Sequence, residues 1–156
     1  MIRLISAFAV LALASAPAMA QSPAPGVTLE GRVQLEKTVQ TGNTSKVVLE
    51  EPKVVVPGDR LLFSTDYANT GNQRVDNFVV TNPVPSAVRV EDASAAQLQV
   101  SVDAGKTYGP LTSLSVKSAD GSARPARAED ITHIRWTVPA IAPGGRGKVE
   151  YHAIVR

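Results

Sequence analysis

The stretch from Val55 to Asn72, "VVPGDRLLFSTDYANTGN", decides the fold class. Its middle, "LLFSTDY" at residues 61–67, places mostly apolar side chains on one side of an extended chain and mostly polar ones on the other. "PGD" before it and "NTGN" after it supply turn residues, since Gly and Asn accept a positive φ and Pro fixes its own. The stretch therefore predicts a β-strand over residues 60–68, bounded by two tight turns.

The same pattern continues along the rest of the chain. Clear strands are predicted at residues 75–81, 132–138 and 148–156, and weaker ones at 28–39, 46–49, 88–91, 98–102 and 114–117. "NPVP" at residues 82–85 should end the second clear strand, because Pro cannot donate to a ladder. Residues 119–130, polar and broken by Gly and Pro, predict a loop that carries Arg124 and Arg127. About nine short strands without long helical periodicity predict an all-β protein, an antiparallel sandwich of about seven to nine strands.

The first twenty residues predict a secretory signal peptide. A positive start at Arg3 precedes an apolar run over residues 4–14, and Ala18 and Ala20 form an A-x-A cleavage motif. The run is shorter than the roughly 20 apolar residues that a membrane-spanning helix needs. We therefore expect cleavage after Ala20, contact with the membrane only during export, and a final location in the periplasm, on the cell surface or in the medium.

Composition indicates one packed domain without an evident charged partner. The 156 residues include no Cys, so the fold must hold by packing rather than by disulfides. The 16 basic and 14 acidic residues are scattered, whereas nucleic-acid binding needs a basic stripe. We expect a Pro-rich tether at residues 21–26, one domain at residues 27–156, and no nucleic-acid partner.

Four stretches in this order resemble one family. They are "KTV" at 37–39, "VVPGDRLLFSTDYANTGN" at 55–72, "VDNFVVTNPVP" at 75–85 and "IRWTVPAIAPGGRGKVEYHAIV" at 134–155. Their order is similar to that in the DUF11 domains of bacterial exported and surface proteins. The resemblance covers residues 37–156 and implies an immunoglobulin-like β-sandwich, commonly a repeated stalk module, with no catalytic activity. This chain carries one copy, and Asn82 stands where the family more often has Asp, which weakens a metal site there.

The turn and core residues follow from these patterns. The predicted turn residues are Pro57, Gly58, Asp59, Asn69, Gly71, Asn82, Pro83, Asp103, Gly105, Pro143 and Gly144. The predicted core consists of the aromatic residues Phe63, Tyr67, Phe78, Trp136 and Tyr151. We expect no catalytic residue, no cofactor and no metal.

One motif favours a different function. "SVDAGKTYGP" at residues 101–110 resembles the Asp-box of sialidase-type propellers. It occurs once, without the internal repeats of a propeller, and no glycosidase-like pair of carboxylates can be picked out. We predict a structural turn in which Asp103 accepts backbone N–H groups, Gly105 supplies the unusual φ and Tyr108 packs beneath. The alternative is a carbohydrate-binding or small hydrolase domain that uses the loop around Asp103 and Tyr108.

Other chemical candidates are weaker. His133 and His152 would meet only if the last two strands formed a hairpin, and two His without a third ligand make a poor metal site. No serine lies in a nucleophile motif. An isopeptide bond from Lys37 would need an Asn or Asp in the closing strand, which has neither. Calcium could be held by loop residues, although turns need the same residue types: Asp59, Asp66, Asn69, Asn72, Asp76 and Asn77.

The closing strand raises a further question, because the family pattern continues with one more strand after it. Its edge would then be open. Either the N-terminal strand covers this edge, which needs no further assumption, or a partner protein adds a strand there. The sequence predicts a non-enzymatic exported structural or interaction module of the bacterial envelope or surface, whose partner would be another envelope or surface protein bound through a strand edge.

Overall fold

A computed structural model of the chain describes residues 26–156. The expected signal peptide and residues 21–25 of the expected tether lie outside the described residues. The described part is an all-β antiparallel sandwich. Its strands are β1 (Val27–Thr41), β2 (Thr44–Glu50), β3 (Arg60–Asn69), β4 (Val75–Pro83), β5 (Val88–Val90), β6 (Gln99–Ser101), β7 (Ser115–Lys117), β8 (Ala123–Pro125), β9 (His133–Ile141) and β10 (Arg146–Val155), with one helical turn, α1 (Asp92–Ala95), and two 3₁₀ turns at Leu111–Ser113 and Ala128–Asp130.

The strands form two main sheets and a separate hairpin. The larger sheet has the order β2-β1-β3-β10-β5, the smaller has the order β4-β9-β6, and β7 pairs with β8. All pairs are antiparallel. β9 and β10 lie in different sheets, so the link through Pro143 and Gly144 crosses from one sheet to the other.

The nine predicted strands are all present, with their ends displaced by a few residues. The predicted loop at residues 119–130 is wrong in part, because it contains β8 and a 3₁₀ turn. The Arg124 guanidinium donates to both carboxylate oxygens of Asp130 at 2.7 Å, and the Arg127 N–H donates to Asp130 Oδ2 at 2.8 Å. These bonds join groups up to six residues apart, so neither strand nor helix periodicity in the sequence predicts them.

β4 ends within the predicted "NPVP" stop, although it includes Asn82 and Pro83, two residues beyond the predicted strand end. These residues pair with Ile134 and His133 of β9. β4 is an outer strand of the smaller sheet. A Pro is tolerated at such an edge, where its missing N–H costs no ladder bond.

β3 is the central strand of the larger sheet. It pairs with β1 from Arg60 to Asn69 and with β10 from Arg60 to Ala68. One cross-strand row consists of Val33, Phe63 and Tyr151. The Phe63 and Tyr151 rings in this row are stacked with centroids 4.8 Å apart.

The centre of the core is aliphatic. Ile134, Val90 and Val100 are fully buried in the larger of two clusters, and Val80 is fully buried in the smaller. A hydrogen bond from the Asn82 amide to Thr65 Oγ1, 2.7 Å long, crosses between the sheets beside these clusters. Aliphatic side chains from both sheets therefore supply most of the fully buried apolar surface.

The expected aromatic core residues surround this centre. Tyr151 is buried, and its burial raises the pKa of its hydroxyl. Phe63 and Trp136 are partly buried against the larger cluster. Tyr67 and Phe78 are partly buried against the smaller cluster, which Trp136 also contacts. The Trp136 ring, 6.2 Å from that of Tyr151, joins the two clusters.

Asn69 connects two turns at one end of the sandwich. Its side-chain amide is buried and donates to the backbone oxygens of Gln73 at 2.7 Å and Ile141 at 3.1 Å. Its side-chain oxygen accepts the Gly71 N–H at 3.0 Å. The Asn69 backbone N–H donates to the Gly145 oxygen at 2.9 Å. The "NTGN" turn is thus fastened to the end of β9 and to the link that leads into β10.

Replacing Trp136 by Ala should lower the free energy of unfolding by about 3 kcal/mol, since a large side chain that joins both clusters is lost. Denaturant unfolding measures the change. Val79→Ala is the control: this exposed valine should change stability by no more than about 0.5 kcal/mol. Equal effects of the two substitutions would contradict the proposed joining role of Trp136.

Replacing Asn69 by Ala should destabilise the fold by about 1–3 kcal/mol, because the buried Ile141 carbonyl loses its donor from Asn69. Asn72→Ala, in the same turn but exposed, is the matched control. Thermal unfolding of both variants checks the prediction. Asn69→Ala with the stability of Asn72→Ala would show that the two turns are held by other contacts.

Candidate functional site

The turn after β6 is the most densely hydrogen-bonded polar site among the residues predicted to carry function. Asp103 Oδ1 accepts the Ser101 hydroxyl at 2.7 Å, the Lys106 N–H at 3.1 Å and the Thr107 N–H at 2.9 Å. Asp103 Oδ2 accepts the Thr107 hydroxyl at 2.7 Å. These bonds, with those from Thr107 foremost, hold the pKa of the Asp103 carboxyl well below its ordinary value.

The backbone of this turn needs two unusual residues. Ala104 has φ of 60° and Gly105 has φ of 82°, both in the left-handed region. A Cβ on Gly105 would lie 3.2 Å from the Tyr108 hydroxyl and 3.6 Å from the His133 ring. Gly105 is therefore required both for its conformation and for the close approach of its neighbours.

The turn is attached to the sandwich through β9 and the residue before it. Thr132 Oγ1 donates to the Ser101 carbonyl and accepts the Ala104 N–H, each at 3.1 Å. The Arg135 guanidinium lies 4.1 Å from the centre of the Tyr108 ring, a cation–π contact. The Tyr108 side chain thus contacts Arg135 through its ring and lies close to Gly105 through its hydroxyl.

This arrangement limits what Asp103 can do chemically. A carboxylate with four internal donors and a lowered pKa stays ionised, so it is a poor general acid. Ser101 Oγ is fully buried, donates to Asp103, and accepts the Gly105 N–H at 2.9 Å. Its hydroxyl proton is directed to a weakly basic carboxylate rather than to a His, which does not favour a nucleophilic role.

The two histidines lie in different sheets and do not face each other. The His133 ring is beside the turn, with Nδ1 3.2 Å from Thr132 Oγ1. His152 Nε2 is 2.9 Å from Glu36 Oε1. Within residues 26–156 no three His, Asp or Glu side chains are grouped closely enough to hold a metal ion.

A charged network on the outer face of the larger sheet was not predicted from the sequence. Glu36, whose side chain is only 10% exposed, lies between His152 and Arg60, with Arg60 Nε 3.1 Å from Glu36 Oε2. Arg60 also donates to Glu91 at 2.8 Å. Although Glu36 Oε2 is close to the Arg60 guanidinium, it accepts no well-aligned hydrogen bond. The register Glu36 opposite Arg60 would have revealed the pair, but the register itself depends on the sheet order.

The calcium candidates are scattered over separate turns and strands. Asp59 Oδ2 accepts the Val56 N–H at 2.8 Å, and Asp76 pairs with Arg74 at 2.7 Å. Asp66 lies 3.9 Å from Arg32, and Asn77 occupies a positive-φ position with φ of 51°. Asn69 has its structural role, and Asn72 is exposed in the same turn.

Lys37 belongs to the β1–β2 ribbon. Its Nζ is 2.7 Å from Glu50 Oε2, and this hydrogen bond raises the pKa of the Lys37 ammonium. β1 and β10 are separated by β3, so Lys37 is not on a strand beside the closing strand. The structure therefore places it in a surface ion pair.

The expectation that the N-terminal strand covers the closing strand is wrong. β1 lies between β2 and β3, whereas β10 lies between β3 and β5. β5 pairs with β10 only at Ala153–Val155. The Glu91 N–H donates to the His152 carbonyl at 2.9 Å, and the His152 N–H donates to Ser94 Oγ at 3.1 Å. In the described part of the chain, the stretch from Arg146 to Glu150 has no strand partner on that side.

Among residues 26–156, β2 is an outer strand of the same sheet and is flanked by β1 alone. Val47 is 55% exposed and Leu49 is 42% exposed. Within residues 26–156, six of the eight exposed large apolar side chains lie where β1 pairs with β2 or in the segment that follows β2. They are Val39, Val47, Leu49, Val54, Val55 and Val56. The run "VVL" in β2 predicts an apolar strand, but no local pattern shows that this strand lies at the edge of the sheet.

Two clefts run beside β1. One is lined by Leu35, Lys37 and Val54 among others, and the other by residues that include Leu29 and Tyr67. Neither contains a residue of the Asp103 turn. Of the helical segments between residues 26 and 156, none has the length and apolar character needed to cross a bilayer.

Comparison with protein-family models, with curated proteins and with solved structures found no match to this chain. The resemblance to DUF11 domains consequently stays a prediction from the quoted motifs.

Replacing Asp103 by Asn should destabilise the protein at neutral pH, because the ionised acceptor of four hydrogen bonds is lost. Since the folded-state pKa of Asp103 is lowered, its contribution is present above the unfolded value of about 3.9 and is lost as the pH falls toward the folded value. The stability difference between wild type and variant should therefore be constant above about pH 5 and shrink as the pH falls below about 4. Urea unfolding at several pH values measures it, and a difference that grows on acidification would contradict the assignment.

Proposed function

We propose that this chain is an exported, non-enzymatic interaction module that binds another protein by strand addition at the outer edge of β2. The observation that carries the proposal is an unpaired strand edge with exposed apolar side chains, Val47 and Leu49. In such an interaction, backbone hydrogen bonds supply affinity and alternating side chains supply specificity.

The backbone of β2 offers a regular set of free groups. β1 and β2 are joined by the two-residue loop Gly42–Asn43, in which Gly42 has φ of 61°. In a two-residue hairpin the flanking residues, here Thr41 and Thr44, form a hydrogen-bonded pair. The N–H and C=O groups of residues 44, 46, 48 and 50 therefore point toward β1, and those of residues 45, 47 and 49 point away from the sheet.

The open stretches of β10 and β1 carry charges that pair within the stretch, whereas β2 presents the exposed apolar pair Val47 and Leu49 beside its charges. On β10 the unpartnered stretch carries Lys148 and Glu150, which form an ion pair with each other. On β1 the part not covered by β2 carries Glu30 and Arg32, also paired. Charged side chains at an edge discourage strand addition, whereas exposed apolar ones favour it.

The Asp103 turn supports the non-enzymatic part of the proposal. Its carboxylate accepts hydrogen bonds from within the turn, and Tyr108 is held by Arg135. A motif whose polar groups serve their own backbone fits a structural role better than sugar recognition. The expected export, which rests on residues 1–20, completes the proposal.

The test is capture of partners from the envelope of cells that express the full chain, with a tagged copy as bait beside an untagged copy. A double substitution, Val47→Lys with Leu49→Lys, should reduce recovery of the partner at least tenfold, because it places two charges on the edge. The matched control is Val55→Lys with Val56→Lys, which adds the same charge to exposed valines outside β2.

The control pair should leave recovery of the partner unchanged. Circular dichroism of each variant verifies that the fold is retained. An identical set of captured proteins with the wild type and the β2 variant would overturn the proposed function.

A further inference from the structure

We infer that the strand received by β2 is β2 of a second copy of this chain, paired antiparallel about a two-fold axis at Val48. The inference rests on the proposed function, since it names the partner of the same edge. Its starting point is the sequence of the strand itself, in which the segment "KVVLE" from Lys46 to Glu50 is complementary to its own reverse.

The charge pattern is self-complementary in this register. With Val48 opposite Val48 of the second copy, Lys46 lies opposite Glu50 and Val47 lies opposite Leu49. Each copy contributes one Lys and one Glu, so the dimer contains two such charge pairs. Cross-strand pairs of opposite charge and of apolar side chains both stabilise a sheet.

The backbone groups agree with the same register. Residues 45, 47 and 49 point away from β1, so Val47 and Leu49 of opposite copies can exchange N–H···O=C bonds. Lys46 and Glu50 then form a pair without direct backbone bonds, the type in which side chains lie closer together. If the register shifted by one residue, the free backbone groups of one copy would lie opposite residues of the other copy whose backbone groups are already bonded to β1.

Neighbouring registers that satisfy the backbone lose the charge pairs. With Val47 opposite itself, Lys46 faces Val48 and Glu50 faces Thr44. With Leu49 opposite itself, Glu50 faces Val48 and Lys46 faces Pro52. Only the register centred on Val48 places both charged residues of β2 opposite a residue of opposite sign.

Side chains on both faces of β2 become more buried in this arrangement. Val47 and Leu49, exposed in a single copy, would pack against each other across the dimer. On the opposite face Val48 meets Val48, and Lys46 approaches Glu50, which Lys37 of its own copy already holds at 2.7 Å. The two larger sheets become one sheet of ten strands, and both β2 edges are used, so the assembly closes at the dimer.

Sedimentation velocity of the protein purified from cells expressing the full chain tests the inference. The wild type should form a concentration-dependent dimer. Lys46→Glu places two acidic residues opposite each other twice in the dimer, and Glu50→Lys does the same with two basic residues. Each variant alone should self-associate at least tenfold more weakly than the wild type.

A mixture of the two variants gives the decisive result. In a heterodimer of Lys46→Glu with Glu50→Lys, both charge pairs between the copies are again of opposite sign, so equimolar mixing should restore dimerisation. Since Lys46 and Glu50 are exposed, both variants should keep the monomer fold, which circular dichroism verifies. A mixture that stays monomeric, or single variants that dimerise like the wild type, would overturn the inference.

A cysteine variant tests the register by a second route. The chain contains no Cys, so Val48→Cys introduces a single thiol, which faces its copy across the axis. Added diamide should convert this variant to a disulfide-linked dimer at least tenfold faster than Val56→Cys, the exposed control outside β2. Equal rates would contradict the register.

The two proposals fail in different ways. A wild-type chain that is monomeric at all concentrations, yet captures a different protein in a β2-dependent manner, overturns the second copy and leaves the proposed function standing. Capture that does not depend on β2 overturns both.

Discussion

The structure depends on the pairing of β3 with strands on both sides. Because β3 is hydrogen-bonded to β1 and to β10 over nearly its full length, it fixes which side chains of three strands face the smaller sheet. Phe63 and Tyr151 stack in the row so created. At the start of β3, β1 continues past Arg60, and in the described residues this extension pairs with β2. The outer edge of β2 is open because β2 is the terminal strand of the sheet.

In a monomeric protein, the open apolar edge of β2 would favour unwanted pairing with other chains. Natural sheets protect their edges with charge, short strands or cover. This chain does so on the free stretches of β10 and β1, where Lys148 pairs with Glu150 and Arg32 with Glu30. β2 instead presents Val47 and Leu49, with the charges of Lys46 and Glu50 at positions that match their own reverse. The contrast within one sheet is the reason to assign binding to β2.

Much of the fold could be predicted from local sequence, because strands and turns are encoded by alternation and by Gly, Pro and Asn. The alternation at residues 61–67 predicts β3, and the Asp103 turn has the hydrogen bonds that its residues imply. What failed depends on contacts that neither strand alternation nor turn residues encode. β8 is ordered beside the Arg124–Asp130 pair, and the neighbours of β10 are set by sheet order. Aromatic residues were expected to form the core, yet small aliphatic side chains such as Val80 and Ile134 fill its centre.

The predicted site and the proposed site differ for a physical reason. The Asp103 motif is conspicuous in the sequence because a tight turn needs specific residues, and those residues then satisfy one another. A strand edge needs no special residue, only the absence of a neighbour, which no local pattern reports. Function in this chain is therefore proposed where the backbone is left unpaired rather than where polar residues are clustered.

Amide hydrogen exchange of β2 at increasing protein concentration tests the central claim most directly. The amides of Lys46 and Val48 point toward β1 and should be protected at every concentration, whereas those of Val47 and Leu49 should gain protection only as copies associate. Protection of Val47 and Leu49 that never changes with concentration, in the absence of any other bound protein, would contradict the account.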